Sequence, residues 1–238
     1  MLLKRIIQEI KTKKELRDID DGFIEARVKE YLDKNHISFE GDYKKIRRRL
    51  QFKKMFKEIR RKCRLVYGAF QDVKERRSFL VYKNILGFTG DSVLDIGCGE
   101  APFDYCLMDK AKKYYLCDID NKLVVRLNEF MKKNKINGKA FVFNAVDDGL
   151  DKLPKADSVF LLKALEGFEA VEKNISFRLL NGLKCKRVIA SFSKIALGEK
   201  IAIRKSGRAW FRRVLKNLDY RYEIKDIDKE IIFFIEKQ

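Results

Sequence analysis

Hydrophobic and polar positions along the chain follow two rhythms, and the change falls near Gly90. Upstream, the period is helical. A helix is predicted over 22–35 and a long one over 43–70, where Ile46, Leu50, Phe56, Ile59, Cys63, Val66 and Phe70 recur mostly at three- and four-residue steps. Such a stripe marks one core-facing side. A further helix is predicted over 72–86, closed by Gly87. Downstream, β-rich runs at 92–96, 114–117, 140–144, 158–161 and 187–192 alternate with helical patterns at 103–110, 121–134 and 163–183. That alternation predicts a parallel sheet covered on both faces. The tail departs from it: a helix over 207–217 precedes two strand-like runs, 220–225 and 230–236, arranged as a hairpin. The expected fold class is α/β, with a helical domain at 1–88 and an α/β domain at 89–238.

Charge changes the picture most. The 238 residues carry 54 Lys and Arg against 35 Asp and Glu, a formal charge of +19. Nucleic acid is the partner this favours, with an anionic membrane surface second. A thermophile's surface accounts for abundant charge of both signs, but not for the imbalance. The excess is concentrated: residues 43–64 hold twelve Lys or Arg and one acid, Glu58. The nucleic-acid-binding face expected there comprises Lys44, Lys45, Arg47, Arg48, Arg49, Lys53, Lys54, Arg60, Arg61 and Arg64. A second basic cluster includes Arg204, Lys205 and Arg208, with Arg212 and Arg213. Phosphate contacts of this kind position a protein on a nucleic acid without reading sequence.

Other classes recede. No apolar run is long enough to span a bilayer, and a secretory signal is not expected. Five cysteines without a CxxC pair imply a reducing, cytoplasmic setting and no structural zinc. His36 is the only histidine, so a site built from several is excluded.

The sharpest motif is Val93-Leu94-Asp95-Ile96-Gly97-Cys98-Gly99, where the first predicted strand meets the first helix of the α/β region, near Pro102. Glycines let backbone approach a ligand, and proline suits a first helical turn. The second strand ends in Asp118-Ile119-Asp120, and a carboxylate there can accept from ribose hydroxyls. The dinucleotide pattern fails because Pro102 stands at the third glycine position. The phosphate-loop pattern fails because no Gly-Lys-Ser/Thr follows. What remains, D-x-G-x-G with a partner acid, resembles motif I of Rossmann-like S-adenosylmethionine-dependent methyltransferases. That class has a seven-stranded sheet whose last strand is antiparallel, as the tail suggests.

Further segments narrow the resemblance. Lys74-Glu75-Arg76, Asp95 to Gly99 followed by Pro102, Leu161-Leu162-Lys163-Ala164-Leu165 with Glu169, Glu172 and Lys173, Ser191-Phe192-Ser193, and Trp210-Phe211 occur in this order. Together they are similar to the Arm family of ribosomal RNA methyltransferases, which confer aminoglycoside resistance by methylating N7 of a guanine in the 16S decoding site. The composition suggests an archaeal or thermophilic relative. The chain departs from that family at Glu100-Ala101, at Ser193 and at Gln71-Asp72-Val73. Adenine N1, a tRNA target, or RNA binding without catalysis therefore stay open as alternatives.

The resemblance implies S-adenosyl-L-methionine as cofactor, and the small ribosomal subunit or its rRNA as partner of a monomeric enzyme without membrane attachment. Arg76 matches the arginine that reaches the donor carboxylate. Asp95 orders the turn formed by Gly97, Cys98 and Gly99, with Cys98 a small packing residue. Asp118 takes the ribose hydroxyls, with Asp120 as rival, and Ile119 and Leu162 flank the adenine. Asp147 accepts from the adenine amino group. Lys163 and Trp210 are the target-site candidates, although a lone helical tryptophan is more often core. Guanine N7 already carries an in-plane lone pair, so its methylation requires no general base, only alignment.

Overall fold

The computed structural model describes residues 2–17, 19–64, 77–194 and 208–237. The chain divides into two compact units, Met1–Val73 and Lys74–Gln238.

The first unit is helical in its described residues: α1 (Leu2–Ile10), α2 (Asp21–Lys34), α3 (Tyr43–Arg48) and α4 (Leu50–Cys63). Asp20 caps α2 by accepting from the Phe23 amide, and Asp42 caps α3 by accepting from Lys44 and Lys45. The long helix expected over 43–70 is broken in its described part, because Arg49 takes an extended conformation, ψ 139°. The break re-aims the buried stripe. Phe52, Met55, Ile59 and Cys63 turn inward, while Leu50, expected in the stripe, is 66% exposed. Val66 and Phe70 lie outside the described residues.

Among its described residues the second unit begins with α5 (Phe79–Phe88) and continues through β1 (Ser92–Ile96), α6 (Pro102–Met108), β2 (Lys113–Asp118), α7 (Asn121–Lys133), β3 (Gly138–Val142) and β4 (Ser158–Leu162). It then runs through α8 (Leu165–Val171), α9 (Ile175–Gly182), β5 (Arg187–Ser193), α10 (Ala209–Asn217), β6 (Arg221–Ile227) and β7 (Glu230–Glu236). The strands form one sheet ordered β3-β2-β1-β4-β5-β7-β6. The first five are parallel, and β7 runs antiparallel between β5 and β6. The tail is thus the expected hairpin, turning at Asp228, whose φ is 52°.

Side chains alternate between two cores, as the pleat requires. Val93, Tyr105, Leu116, Leu127 and Phe160 share one core with Val81, Tyr82 and Ile85 of α5. Helix α5, read from sequence as the end of the N-terminal domain, is therefore part of the sheet's own covering layer. Leu94, Leu161, Leu165, Leu179, Val188, Phe211 and Phe233 fill the other core. The single helix expected over 163–183 is two, α8 and α9. Asn174 separates them at φ 66°, and the Glu169 carboxylate accepts from the amides of Asn174 and Ser176.

Candidate active site

In an open parallel sheet, ligands bind beyond the strand C-termini where the order reverses. Here that point lies between β1 and β4, whose outer neighbours β2 and β5 lead in opposite directions. The turn after β1 occupies it. The Gly97 and Cys98 amides both donate to the Cys117 carbonyl, at 2.9 and 3.1 Å. The Gly99 amide donates to Asp118 Oδ2 at 3.0 Å, and Asp118 Oδ1 accepts from the Asp120 amide at 3.0 Å. Gly97 and Gly99 have φ of +70° and +55°, a region costly for side-chain-bearing residues. A Cβ on Gly97 would lie 3.0 Å from Phe168 Cζ and 3.3 Å from Ala164 Cβ, whereas one on Gly99 meets nothing within 4 Å. The turn is packed on one side and open on the other. Pro102 begins α6, as the motif predicts.

Asp95 is fully buried beneath this turn. Its Oδ2 accepts from the Tyr105 hydroxyl at 2.9 Å, and Oδ1 has no hydrogen-bond partner among the described residues. Burial pushes its carboxyl up to about 7; the Tyr105 hydrogen bond and the Arg77 guanidinium oppose that rise. Burial also raises Asp118, against the amides of Asp120 and Gly99. Cys98 is buried, with its thiol pushed well above the ordinary range by burial. That suits packing and not nucleophilic attack.

The remaining expected donor-site residues divide. Asp120 caps α7 through the Lys122 and Leu123 amides, which leaves Asp118 as the carboxylate beside the turn. Ile119 follows it and is half-buried. Leu162 ends β4 and is buried. Asp147 is exposed in the loop after β3, where its Oδ2 accepts from Asn144 Nδ2 at 2.7 Å. Arg178 of α9 pins that loop by donating to the carbonyls of Ala145 and Val146, each at 2.9 Å. Arg76 lies outside the described residues, as do Arg204 and Lys205.

Of the two residues expected at the target, Lys163 follows β4 with φ 58°. Trp210 is half-buried, edge-on to Phe192 at 5.9 Å and to Phe211 at 5.5 Å. Arg208, expected on an RNA-binding surface, is instead 3% exposed. It pairs with Glu166 at 2.8 Å, donates to the Ser193 carbonyl at 2.8 Å and sits 4.9 Å over the Phe192 ring. Its guanidinium is committed inside the fold because three elements converge on it. Sequence reading missed Arg77 and Glu230, an ion pair at 2.8 Å, both nearly buried. An acid heading the wholly apolar run 231–235 is the one local signal for it.

In the first unit, Lys44, Lys45, Arg48, Arg49, Lys53, Lys54, Arg61 and Arg64 are exposed. Arg47 pairs with Glu9 at 2.7 Å. Arg60 donates to the Glu9 carbonyl at 2.8 Å and lies 4.4 Å over the Phe56 ring.

A family profile described as ribosomal RNA methyltransferase (FmrO) matches residues 58–230. A solved structure of the 16S rRNA methyltransferase RmtF in complex with S-adenosyl-L-homocysteine is 19% identical, with 99% of this chain and 98% of that one covered at a TM-score of 0.77. The 16S rRNA methylase RmtB is 17% identical, with 99% and 98% covered, TM-score 0.68. An rRNA methylase from Escherichia coli is 19% identical, with 99% and 100% covered, TM-score 0.69. At these identities the likeness establishes a common fold. No curated protein sequence matches the chain.

Proposed function

Because the chain belongs to the FmrO family of ribosomal RNA methyltransferases, we propose that it methylates N7 of a guanine in the decoding region of small-subunit (16S) rRNA, with S-adenosylmethionine as donor. The observation that carries this reading is the turn at the sheet's reversal point, open at Gly99 and tied to Asp118. That arrangement fits the donor. The open side at Gly99 admits close approach to backbone. The Asp118 oxygens accept from the Gly99 and Asp120 amides, and a carboxylate has further acceptor capacity for a ribose hydroxyl.

When bound, S-adenosylmethionine supplies an electrophilic methyl group. The protein's part is to bind and to align. Asp118 orients the nucleoside, with Ile119 and Leu162 beside the base. Asp147, on a loop fixed by Arg178, faces the adenine amino group. Arg76 takes the carboxylate end. No group is needed to remove a proton from guanine N7, so orientation of the target base supplies most of the acceleration. The exposed cations of α3 and α4 engage RNA phosphates, and the folded shape of the rRNA or assembled subunit gives specificity.

The deciding experiment offers labelled S-adenosylmethionine with intact small subunits, naked small-subunit rRNA and tRNA, followed by borohydride–aniline cleavage. Label in small-subunit rRNA with cleavage in the decoding region is expected. Label without cleavage moves the reaction to another atom, with adenine N1 next to test. Absence of label in every RNA overturns the proposal.

A further inference from the structure

Glu230 is a buried carboxylate to which the donor-site reading above gives no part. It heads β7, in register with Ser193 at the end of β5, and is 2% exposed. Its Oε1 lies 2.8 Å from Arg77 Nε and 3.3 Å from Lys163 Nζ. Its Oε2 is buried and has no hydrogen-bond partner among the described residues. Lys163 is fixed at both ends. Its left-handed backbone donates an amide hydrogen to the Ser191 carbonyl of β5 at 2.9 Å, and its ammonium meets Glu230 across that strand. Lysine is uncommon in the left-handed region; Lys135, exposed after α7, shares it, and Lys163 differs in that its ammonium is tied to a buried carboxylate. Its neighbour Ala164 packs against the turn at Gly97. Lys163 therefore stands directly beside the donor turn, at the edge where sheets of this kind take their ligands.

We propose that Glu230 is a positioning residue for the target end of the site: it holds the Lys163 ammonium ready for the nucleobase and offsets its charge. The proposal rests on the RNA methyltransferase reading above. The edge of guanine that carries N7 also carries O6, a second acceptor. An ammonium held in place can donate to O6 while the N7 lone pair stays free. A lysine is a long, flexible donor, and ordering it before the base arrives removes a cost from the bound state. The ring becomes cationic as N7 accepts the methyl group, and a bare ammonium alongside would oppose that change. The Glu230 carboxylate counters it. Arg77 balances the arrangement, since it faces both Glu230 and Asp95.

The test uses the full chain with Glu230→Gln, Lys163→Met and the double variant. Three quantities are measured: melting temperature, calorimetric affinity for S-adenosylhomocysteine, and initial rates of labelled methyl transfer over a range of small-subunit concentrations. Glu230→Gln is expected to leave the affinity within about twofold. It should lower kcat about ten-fold or more with little change in KM. Lys163→Met should match it, and the double variant should be no slower than the slower single one, because the two act as a unit. Several outcomes overturn the assignment: a Glu230→Gln protein that melts early yet keeps kcat per folded molecule, losses that multiply in the double variant, or a fall in S-adenosylhomocysteine affinity instead of kcat. If Glu230→Gln does not fold, a wild-type kcat in Lys163→Met is decisive against it. Borohydride–aniline cleavage of the wild-type product reads the target atom separately. Label without cleavage removes N7 and leaves the rate ratios to judge Glu230. No label in any RNA from the wild type removes both readings.

Discussion

The Gly99 amide donates to Asp118 Oδ2 at 3.0 Å, so the turn after β1 and the end of β2 are one hydrogen-bonded unit. Removing the carboxylate should therefore damage the turn and the ribose end together. Hydrogen bonds to a charged group contribute about 1.5–3 kcal/mol. Asp118→Ala is expected to weaken S-adenosylhomocysteine binding about 10- to 100-fold, and Asp118→Asn, which keeps one acceptor oxygen, by less. Calorimetric titration reads both; an unchanged affinity in Asp118→Ala would remove this carboxylate from the donor site.

The two turn glycines separate strain from access. Both have positive φ, so either alanine variant incurs roughly 1–2 kcal/mol of backbone strain. Gly97→Ala adds a collision with Phe168 and Ala164, and should melt well below the wild type. Gly99→Ala meets nothing in the protein, and should melt only slightly early yet lose donor affinity, because the new methyl group fills the open side. Thermal melts with and without S-adenosylhomocysteine distinguish them.

Asp95 gives stability a pH dependence whose sign follows from its environment. Its carboxyl is raised from 3.8 to about 7 by burial, so between those values the folded chain holds a proton that the unfolded chain has lost. Stability is then greatest below the lower value and declines as pH rises toward 7, by at most about 1.4 kcal/mol per pH unit. Asp95→Asn keeps an acceptor for the Tyr105 hydroxyl and should flatten most of the slope. Asp118, shifted the same way by burial, leaves a residue of it. Urea unfolding across that window tests this; a slope equal in wild type and variant refutes it.

The basic face of the first unit contains cations of two kinds. Arg48, Arg49, Lys53 and Lys54 are exposed. Replacing them with alanine should leave the melt unchanged while weakening RNA binding. The salt slope should fall by about 0.7–0.9 for each phosphate no longer neutralised. Arg60, held by the Glu9 carbonyl and the Phe56 ring, should behave differently, with Arg60→Ala costing about 1–2 kcal/mol of stability. Filter binding at several salt concentrations, paired with melts, checks the division.

Arg208→Ala should act on folding more than on RNA. It leaves Glu166 and the Ser193 carbonyl without a guanidinium, at an expected cost of about 1–3 kcal/mol. A variant with an unaltered melt and weakened RNA affinity would return Arg208 to the binding surface.

The parallel strands and the motif turn were legible because they are local patterns: β-rich runs, the first closed by glycines, and an acid at the end of the second strand. The break at Arg49 was not, since neither proline nor glycine marks it. The deciding fact is that Phe52, Met55, Ile59 and Cys63 form a cleaner stripe than one running through Leu50. Asn174 carried a weak signal, because asparagine tolerates the left-handed conformation it adopts just before α9. Arg77 and Glu230 meet only when β7 pairs beside β5, and Arg208 is buried only because α8, β5 and α10 converge. Neither relation has a sequence spacing that would reveal it.

The position of β7 also sets an order on assembly. Strand β7 follows β6 in the chain but lies inside it in the sheet, bonded to β5 on one side and β6 on the other. During synthesis, β6 emerges with no neighbour to join, and β5 presents a bare edge until residues 230–236 are free of the ribosome. Unpaired edges of this kind invite wrong partners. The sheet is completed by a late, long-range pairing, the slow class of event in folding, and the same pairing delivers the Glu230 carboxylate to Lys163. A chain stalled after β6 would carry the whole motif turn and still lack the carboxylate that pairs with Lys163.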